Sequence, residues 1–515
     1  MHFRLAVFLV LALTTPTAAQ PNYQFFEPVQ PPRATQVMAH RGMHMLAPEN
    51  SLSAVLACAP DYIEWAEVDI RLTKDGRHVV IHDDNLERCT DGKGNVADFD
   101  LADLKKLDAG SWFARRFKDA RLLSLVELLT AAKGKVNLYL DCKRVDPELL
   151  AKEVLAAEME RQVIVYGQPE MLAKVRAAAG NKIPTMTKFP LKTMTFDSLV
   201  KDVDPAAVEI DPDDVTAELC KAFHAKGIKV QAKVLGEKWD NATGWGKMLE
   251  AGVDWLQTDD PAGVRFAEVR RRIPNFPVKI SYHRGANRYA PENTIPAIEK
   301  AAALEADYIE IDIRPTKDGK YMLLHDGTLN RTTNGKGPIR DSTFAEVAKL
   351  SAGAWFGGPF AQTRVPLFSD GLTAMGKKSH AYLDAKDITP ADLLDAMRKH
   401  ELVERSVVYQ SKEYLAKLKA LEPKVRPLPP LRRADQFEQV AATAPYGFDS
   451  NWSILSAELI AKAHKAGIQV FSDAMGANER IEQFQKAIGW GIDVIQTDHP
   501  LRVLRAIELF KQQNP

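Results

Sequence analysis

The sequence predicts an α/β protein built from two tandem parallel barrels, and three observations carry that reading. The stretch "QVMAHRGMHMLAPENS" (36–51) returns as "KISYHRGANRYAPENT" (279–294). His40, Glu49, Glu67, Asp69, His82, Trp112 and Asp141 recur at one constant offset as His283, Glu292, Glu310, Asp312, His325, Trp355 and Asp384. A period this long marks a duplicated whole domain rather than a solenoid unit. Within each copy, short β-like runs alternate with helical patterns, the order that a parallel α/β barrel needs. The length, 515 residues, also exceeds what one hydrophobic core supports. A doubly wound open sheet is the alternative. No G-x-G-x-x-G follows the first β run, which argues against its dinucleotide-binding version.

The elements follow in order. Residues 1–19 carry Arg4, an apolar run from Leu5 to Leu13, and small residues ending at Ala18 and Ala19. That pattern predicts a cleaved export signal and a periplasmic or secreted protein, and the run is too short to span a bilayer. Residues 20–35, with Pro28, Pro31 and Pro32, read as an extended lead-in. The first barrel is expected over 36–272, with β runs "QVMAH", "AEVDIRL", "HVVIH", "VNLYLDC", "VIVYG" and "VDWLQTD". Its first helix, "NSLSAVLACA", is expected to start at an N-cap on Asn50, with Leu52, Val55 and Leu56 on one face. Pro274 and Pro277 stiffen a short linker, 273–278, and the second barrel is expected over 279–513.

Bulk composition narrows the function. Hydrophobic residues make up 45% and charged residues 26%, an ordinary globular balance. Lys+Arg and Asp+Glu are both 68, so bulk electrostatics do not point to nucleic acid or an acidic membrane as partner. No later stretch approaches the about 20 apolar residues of a transmembrane helix. Cys58, Cys89, Cys142 and Cys220 all lie in the first copy. Export permits disulfides among them, isolated packed thiols are equally consistent, and their spacing matches no zinc pattern.

Chemistry-bearing residues cluster at the predicted C-terminal ends of strands, where an α/β barrel places its active site. His40-Arg41 ends the first strand, Glu67-x-Asp69 the second, His82-Asp83 the third and Asp141-x-Lys143 the fourth. The second copy repeats them as His283-Arg284, Glu310-x-Asp312, His325-Asp326 and Asp384-x-Lys386. Residues two apart on a strand share a face, so Glu67 and Asp69 stand side by side and repel. A divalent cation relieves that repulsion, and oxygen donors favour Mg²⁺ or Ca²⁺ over zinc, one ion per barrel. Two histidines from different strands can serve as base and acid. Arg41 and Lys143, with Arg284 and Lys386 in the second copy, add positive charge suited to a phosphate. His224 and His464 also recur, but in helical tails, where a solvated helix end explains them.

These residues, with "LDAGSWFARRF" (Leu107–Phe117), "LSAGAWFGGPF" (Leu350–Phe360) and the closing "QTDDP" and "QTDHP", resemble the glycerophosphodiester phosphodiesterase family over roughly 36–268 and 279–505. The resemblance implies a TIM-type (β/α)8 barrel in each copy, with a small insertion after the third strand, about Asn85–Lys135 in copy one. It implies metal-dependent hydrolysis of glycerophosphodiesters to an alcohol and glycerol 3-phosphate. By the matching motifs, His40 and His82, and His283 and His325, are the acid–base pairs. Glu67 and Asp69, and Glu310 and Asp312, hold the metal, while Glu49 and Glu292 are further ligands or support them. The sequence departs from the family pattern at Asp141 and Asp384, where glutamate is usual, and at "VQAKV" and "VFSDA", where a Trp-Thr ending is usual. One active barrel beside a non-catalytic binding or scaffold barrel is the alternative. The loops after the first strands, Met43-His44-Met45-Leu46 and Ala286-Asn287-Arg288-Tyr289, differ between the copies. On that basis the first site is expected to favour choline- or ethanolamine-type diesters, and the second glycerol- or inositol-type diesters.

Overall fold

The structure is a computed structural model that describes residues 23–514. The expected export signal, 1–19, lies outside the described residues. Two parallel-stranded barrels follow one another along the chain. The first is made of β1 (Gln36–Ala39), β2 (Trp65–Leu72), β3 (His78–Val80), β4 (Asn137–Cys142), β5 (Val163–Tyr166), β6 (Thr185–Lys188), β7 (Ala207–Ile210), β8 (Lys229–Lys233) and β9 (Trp255–Thr258). All but β3 pair in parallel, and β1 closes the ring by pairing with both β2 and β9. The third strand in chain order is therefore not a stave. β3 lies antiparallel on the end of β2, Val80 opposite Ile70, and the small insertion follows it.

The second barrel repeats the plan with β10 (Lys279–Tyr282), β11 (Tyr308–Pro315), β12 (Tyr321–Leu323), β13 (His380–Asp384), β14 (Ser406–Tyr409), β15 (Arg426–Leu428), β16 (Pro430–Leu431), β17 (Gly447–Asn451), β18 (Gln469–Asp473) and β19 (Val494–Thr497). β12 is the antiparallel counterpart of β3. β15 and β16 are two pieces of one stave, interrupted at Pro429. Proline has no N–H to donate, but its carbonyl still accepts from the Asp449 N–H at 3.1 Å, so the ring closes there.

Strand alternation sorts the side chains. On β2, Val68 and Ile70 join the core between strands and helices, while Glu67 and Asp69 point into the barrel. The lower interior of the first barrel is filled by Met38, Trp65, Tyr139, Ile164, Met186 and Trp255. Phe25 of the lead-in plugs that end, its ring 5.4 Å from Trp65 and 5.3 Å from Trp255. Apolar packing thus dominates the bottom, where the buried polar residues Gln36 and Asn137 are bonded to Trp65 and the Phe26 carbonyl. The first helix, Leu52–Leu56, is capped by Ser51, whose side chain accepts from the Ala54 N–H. Asn50, the expected cap, is engaged elsewhere.

The barrels share a continuous hydrophobic core, and their last helices, Pro261–Arg272 and Pro500–Gln513, pack together. Arg33 of the lead-in ties them electrostatically. Its guanidinium reaches Glu64 of the first barrel at 2.7 Å and Glu508 of the second at 2.6 Å, and all three are buried. Burial opposes the charge on Glu508, but Arg33, with Arg265 and Arg505, outweighs it and brings the carboxyl down to about 2. Among the described residues no helix is long and apolar enough to cross a membrane.

Glu508→Ala leaves Arg33 buried with half its countercharge. Removing one partner of a buried ion pair costs about 3–5 kcal/mol, so urea unfolding of the variant should show a free energy lower by an amount of that order and a correspondingly lower midpoint. An unchanged midpoint would show that the Arg33 bridge contributes nothing to holding the barrels.

Candidate functional site

Each mouth is built from the repeat that the sequence displays. In the first, His40 follows β1 directly. Arg41 then takes a left-handed conformation (φ 54), which aims its backbone N–H at Glu67 Oε2, 2.8 Å away. Gly42 continues the turn at φ 75, and a Cβ there would meet the Ala54 carbonyl carbon at 2.7 Å. His-Arg-Gly is thus a turn that delivers a histidine, a guanidinium and a backbone donor to one place. Arg284 and Gly285 repeat it at φ 54 and 77, with the Arg284 N–H 2.7 Å from Glu310 Oε2.

The carboxylates meet as expected. Candidate ligand atoms of Glu67, Asp69 and Asp141 lie within 4.8 Å of one another, and those of Glu310, Asp312 and Asp384 do likewise. Burial, then Asp69 and Asp141, push Glu67 well above the usual carboxylate range. Burial, then Asp312 and Asp384, do the same to Glu310. Lys143 Nζ stands 2.7 Å from Asp141 and 3.2 Å from Asp69. Lys386 stands 3.0 Å from Asp312 and also pairs with Asp384. Asp69 Oδ1 is buried, and its one close partner is the Lys143 ammonium at 3.2 Å. An all-oxygen cluster of three converging carboxylates, more negative charge than one lysine offsets, fits a hard divalent cation.

His40 Nδ1 lies 2.7 Å from Asp259 Oδ1, and its Nε2 faces Glu67 at 3.9 Å. Burial lowers the His40 pKa against the opposing pull of Asp259. His82 Nδ1 lies 2.7 Å from Asp83. In the second mouth His283 pairs with Asp498 at 2.7 Å and His325 with Asp326 at 2.8 Å. Glu49 and Glu292 stand outside the acidic clusters. Glu49 accepts from Arg41 at 2.8 Å and from Arg88 at 2.6 Å, and Glu292 from Arg284 at 2.8 Å and Arg331 at 2.7 Å. They hold arginines.

Several residues escaped the sequence reading. Asp259 and Asp498 were visible as the closing Thr-Asp-x-Pro, but their partners lie at the other end of each domain. Asn50 donates to Asp69 Oδ2 at 2.8 Å and accepts from the Asp69 N–H at 3.0 Å, and Asn293 does the same for Asp312. Arg88 bridges Glu49 and Asp83, and its repeat at Arg331 was the available signal. The histidines of the helical tails sit apart, His224 on Asp254 and His464 on Asp493. All four cysteines are free thiols.

The mouths differ on one wall. The end of β8 carries Lys233, and the end of β18 carries Asp473. Burial raises the pKa of both Glu67 and Glu209, and Lys233 works against that rise. Asp473 instead joins Asp384 and Asp449, and burial followed by Asp384 pushes it up to about 7. Arg288 borders a cavity at the second mouth, yet its guanidinium pairs with Asp61 of the first barrel at 3.3 Å. Tyr289 turns away into a cavity between the barrels.

With this geometry in place, comparison with known proteins is direct. The model of the glycerophosphoryl diester phosphodiesterase family matches residues 40–263 and 283–502. The chain belongs to that family. A Bacillus subtilis glycerophosphodiester phosphodiesterase is 31% identical over 245 residues, covering 42% of this chain and 82% of the relative. One from Caldanaerobacter subterraneus is 31% identical over 235 residues, covering 44% and 96%. A solved structure of the enzyme from Agrobacterium tumefaciens is 27% identical, with a TM-score of 0.41, over 44% of this chain and 97% of its own. Family membership spans both barrels, so the duplicated motifs are two copies of one family domain.

The raised Asp473 has a consequence for metal-free protein. A carboxyl whose folded pKa lies above its unfolded value keeps a proton that the unfolded chain releases, so its stabilisation is lost as pH rises through the folded value. With chelator present, stability should fall between about pH 4 and pH 7, and Asp473→Asn should flatten that slope. Thermal melts of the two proteins across this window make the check; identical slopes would remove Asp473 as the cause.

Proposed function

We propose that this chain is an exported, metal-dependent phosphodiesterase that hydrolyses glycerophosphodiesters to an alcohol and glycerol 3-phosphate, with one site in each barrel. The observation that carries the reading is the complete set in both mouths: two histidines, each backed by a carboxylate, facing an acidic trio with a lysine and an arginine. The names of the similar enzymes agree with it. Export rests on the charged, apolar and small-residue order of 1–19.

Glu67, Asp69 and Asp141 would hold one cation, and Glu310, Asp312 and Asp384 another. Ca²⁺ and Mg²⁺ suit oxygen-only donors. A bound cation would neutralise phosphate charge and polarise a phosphoryl oxygen. The side chains do the rest. Asp259 accepts a hydrogen bond from the His40 Nδ1–H, which leaves the Nε2 lone pair facing the cluster. Asp83 orients His82 in the same way. One histidine of each pair removes the proton from the attacking hydroxyl as its oxygen bonds to phosphorus. The other donates a proton to the alkoxide as the second P–O bond breaks. Arg41 and Lys143 stabilise the charge on the phosphate oxygens. Asn50 fixes the rotamer of Asp69, and the two-arginine grip on Glu49 fixes Arg41.

The second reading, one active barrel and one scaffold barrel, draws on the Lys233 and Asp473 difference, which changes the charge of one mouth but removes no member of the set.

Hydrolysis of glycerophosphocholine should stop in EDTA and return with Ca²⁺ or Mg²⁺; full activity after exhaustive chelation sinks the metal assignment. His40→Ala and His283→Ala should each silence one site, lowering its kcat by about 10²–10⁴-fold, and the double variant should lose both. If one single variant already abolishes hydrolysis of every diester tried, the scaffold reading replaces the two-site reading.

A further inference from the structure

A cavity of about 640 Å³ lies between the barrels, beside the first mouth. Its size falls in the range of about 300–1,000 Å³ of small-molecule sites. The first barrel supplies Met43, Met45 and Leu46 to its wall, and the second supplies Tyr289, Ala303 and Phe360. At one end stand His44 and Asp259. Both touch the first site's histidine: Asp259 lies 2.7 Å from His40 Nδ1, and His44 Nδ1 lies 2.9 Å from the His40 carbonyl oxygen. The cavity therefore borders the first site on the side of the residues that back His40.

Its charged groups are already engaged or solvated, and the buried Tyr289 hydroxyl, which makes no hydrogen bond, is the one polar exception among the lining residues. Lys300 pairs with Asp260 across the barrels at 2.5 Å. Asp240 accepts from Trp245 at 2.7 Å and from the Asp259 N–H at 2.8 Å. Glu237 and Glu299 are exposed. Apart from that hydroxyl, what remains to meet a ligand is hydrocarbon, and the two methionines can adapt their shape to it. The cavity beside the second mouth is smaller, about 340 Å³, and mixes Trp355 and Phe356 with Arg116, Arg288, Glu292 and Asp498.

We propose that the inter-barrel cavity receives the aliphatic chain of the first site's substrate, a phosphodiester carrying one hydrocarbon tail. The phosphate would lie at the His40 and Glu67 cluster and the tail between the barrels, so that the second barrel sets the first site's selectivity. The inference rests on the phosphodiesterase reading of that site, and its test separates the two.

The test uses the full chain with His283→Ala, which leaves the first site to act, with and without Ala303→Trp. Ala303 belongs to the second barrel and is exposed on the cavity wall. Two readouts are taken: kcat/KM for a single-chain lysophospholipid relative to glycerophosphocholine, and calorimetric binding of the same lysophospholipid below its micelle concentration. The ratio should fall at least tenfold in Ala303→Trp, and binding should weaken in step. An unchanged ratio with unchanged binding overturns the cavity assignment. If the parent hydrolyses neither diester, yet binds the lysophospholipid in a manner that Ala303→Trp abolishes, the cavity stands and the phosphodiesterase reading falls.

Discussion

Three buried carboxylates held together at the end of one strand pair are the constraint on which each mouth depends. Glu67 and Asp69 share a face because β2 is a strand, and Asp141 is brought beside Asp69 by the parallel register of β4. Left alone, they repel in a poorly hydrated place, and Glu67 responds by favouring its protonated form. The surrounding residues answer that repulsion. The Arg41 N–H, the Asn50 amide and the Lys143 ammonium each approach a different carboxylate. The left-handed turn at Arg41 and the close approach of Gly42 to the first helix exist to make those contacts.

Duplication preserved this chemistry and altered its setting. Carboxylates, histidines, backing aspartates and asparagines recur with matching distances. The walls do not: Lys233 faces the carboxylates in one mouth, and Asp473 adds a further carboxylate in the other. The loops after the first strands were expected to tune the head group of each site separately. Arg288 pairs its charge with Asp61 while still bordering the second mouth, and Tyr289 helps to enclose the cavity beside the first site. The buried Arg33, Glu64 and Glu508 bridge holds the barrels in the arrangement that forms it.

The sequence by itself determined the duplication, the alternation of strand and helix, and the residue types at the strand ends. Those properties are local or periodic: a period of two puts Glu67 and Asp69 on one face, and a constant offset reveals a repeat without any coordinates. Tertiary structure alone decided the pairings. Asp259 meets His40 because β9 closes the ring against β1, a contact between residues 219 apart. Asn50 looked like a helix cap, and only the approach of β2 shows its amide to be the partner of Asp69. "HVVIH" looked like a stave, because antiparallel and parallel strands share the same alternation; ring closure without it settles the matter. The cavity between the barrels depends on how two separately legible domains dock, and docking follows shape and buried charge that no sequence period encodes.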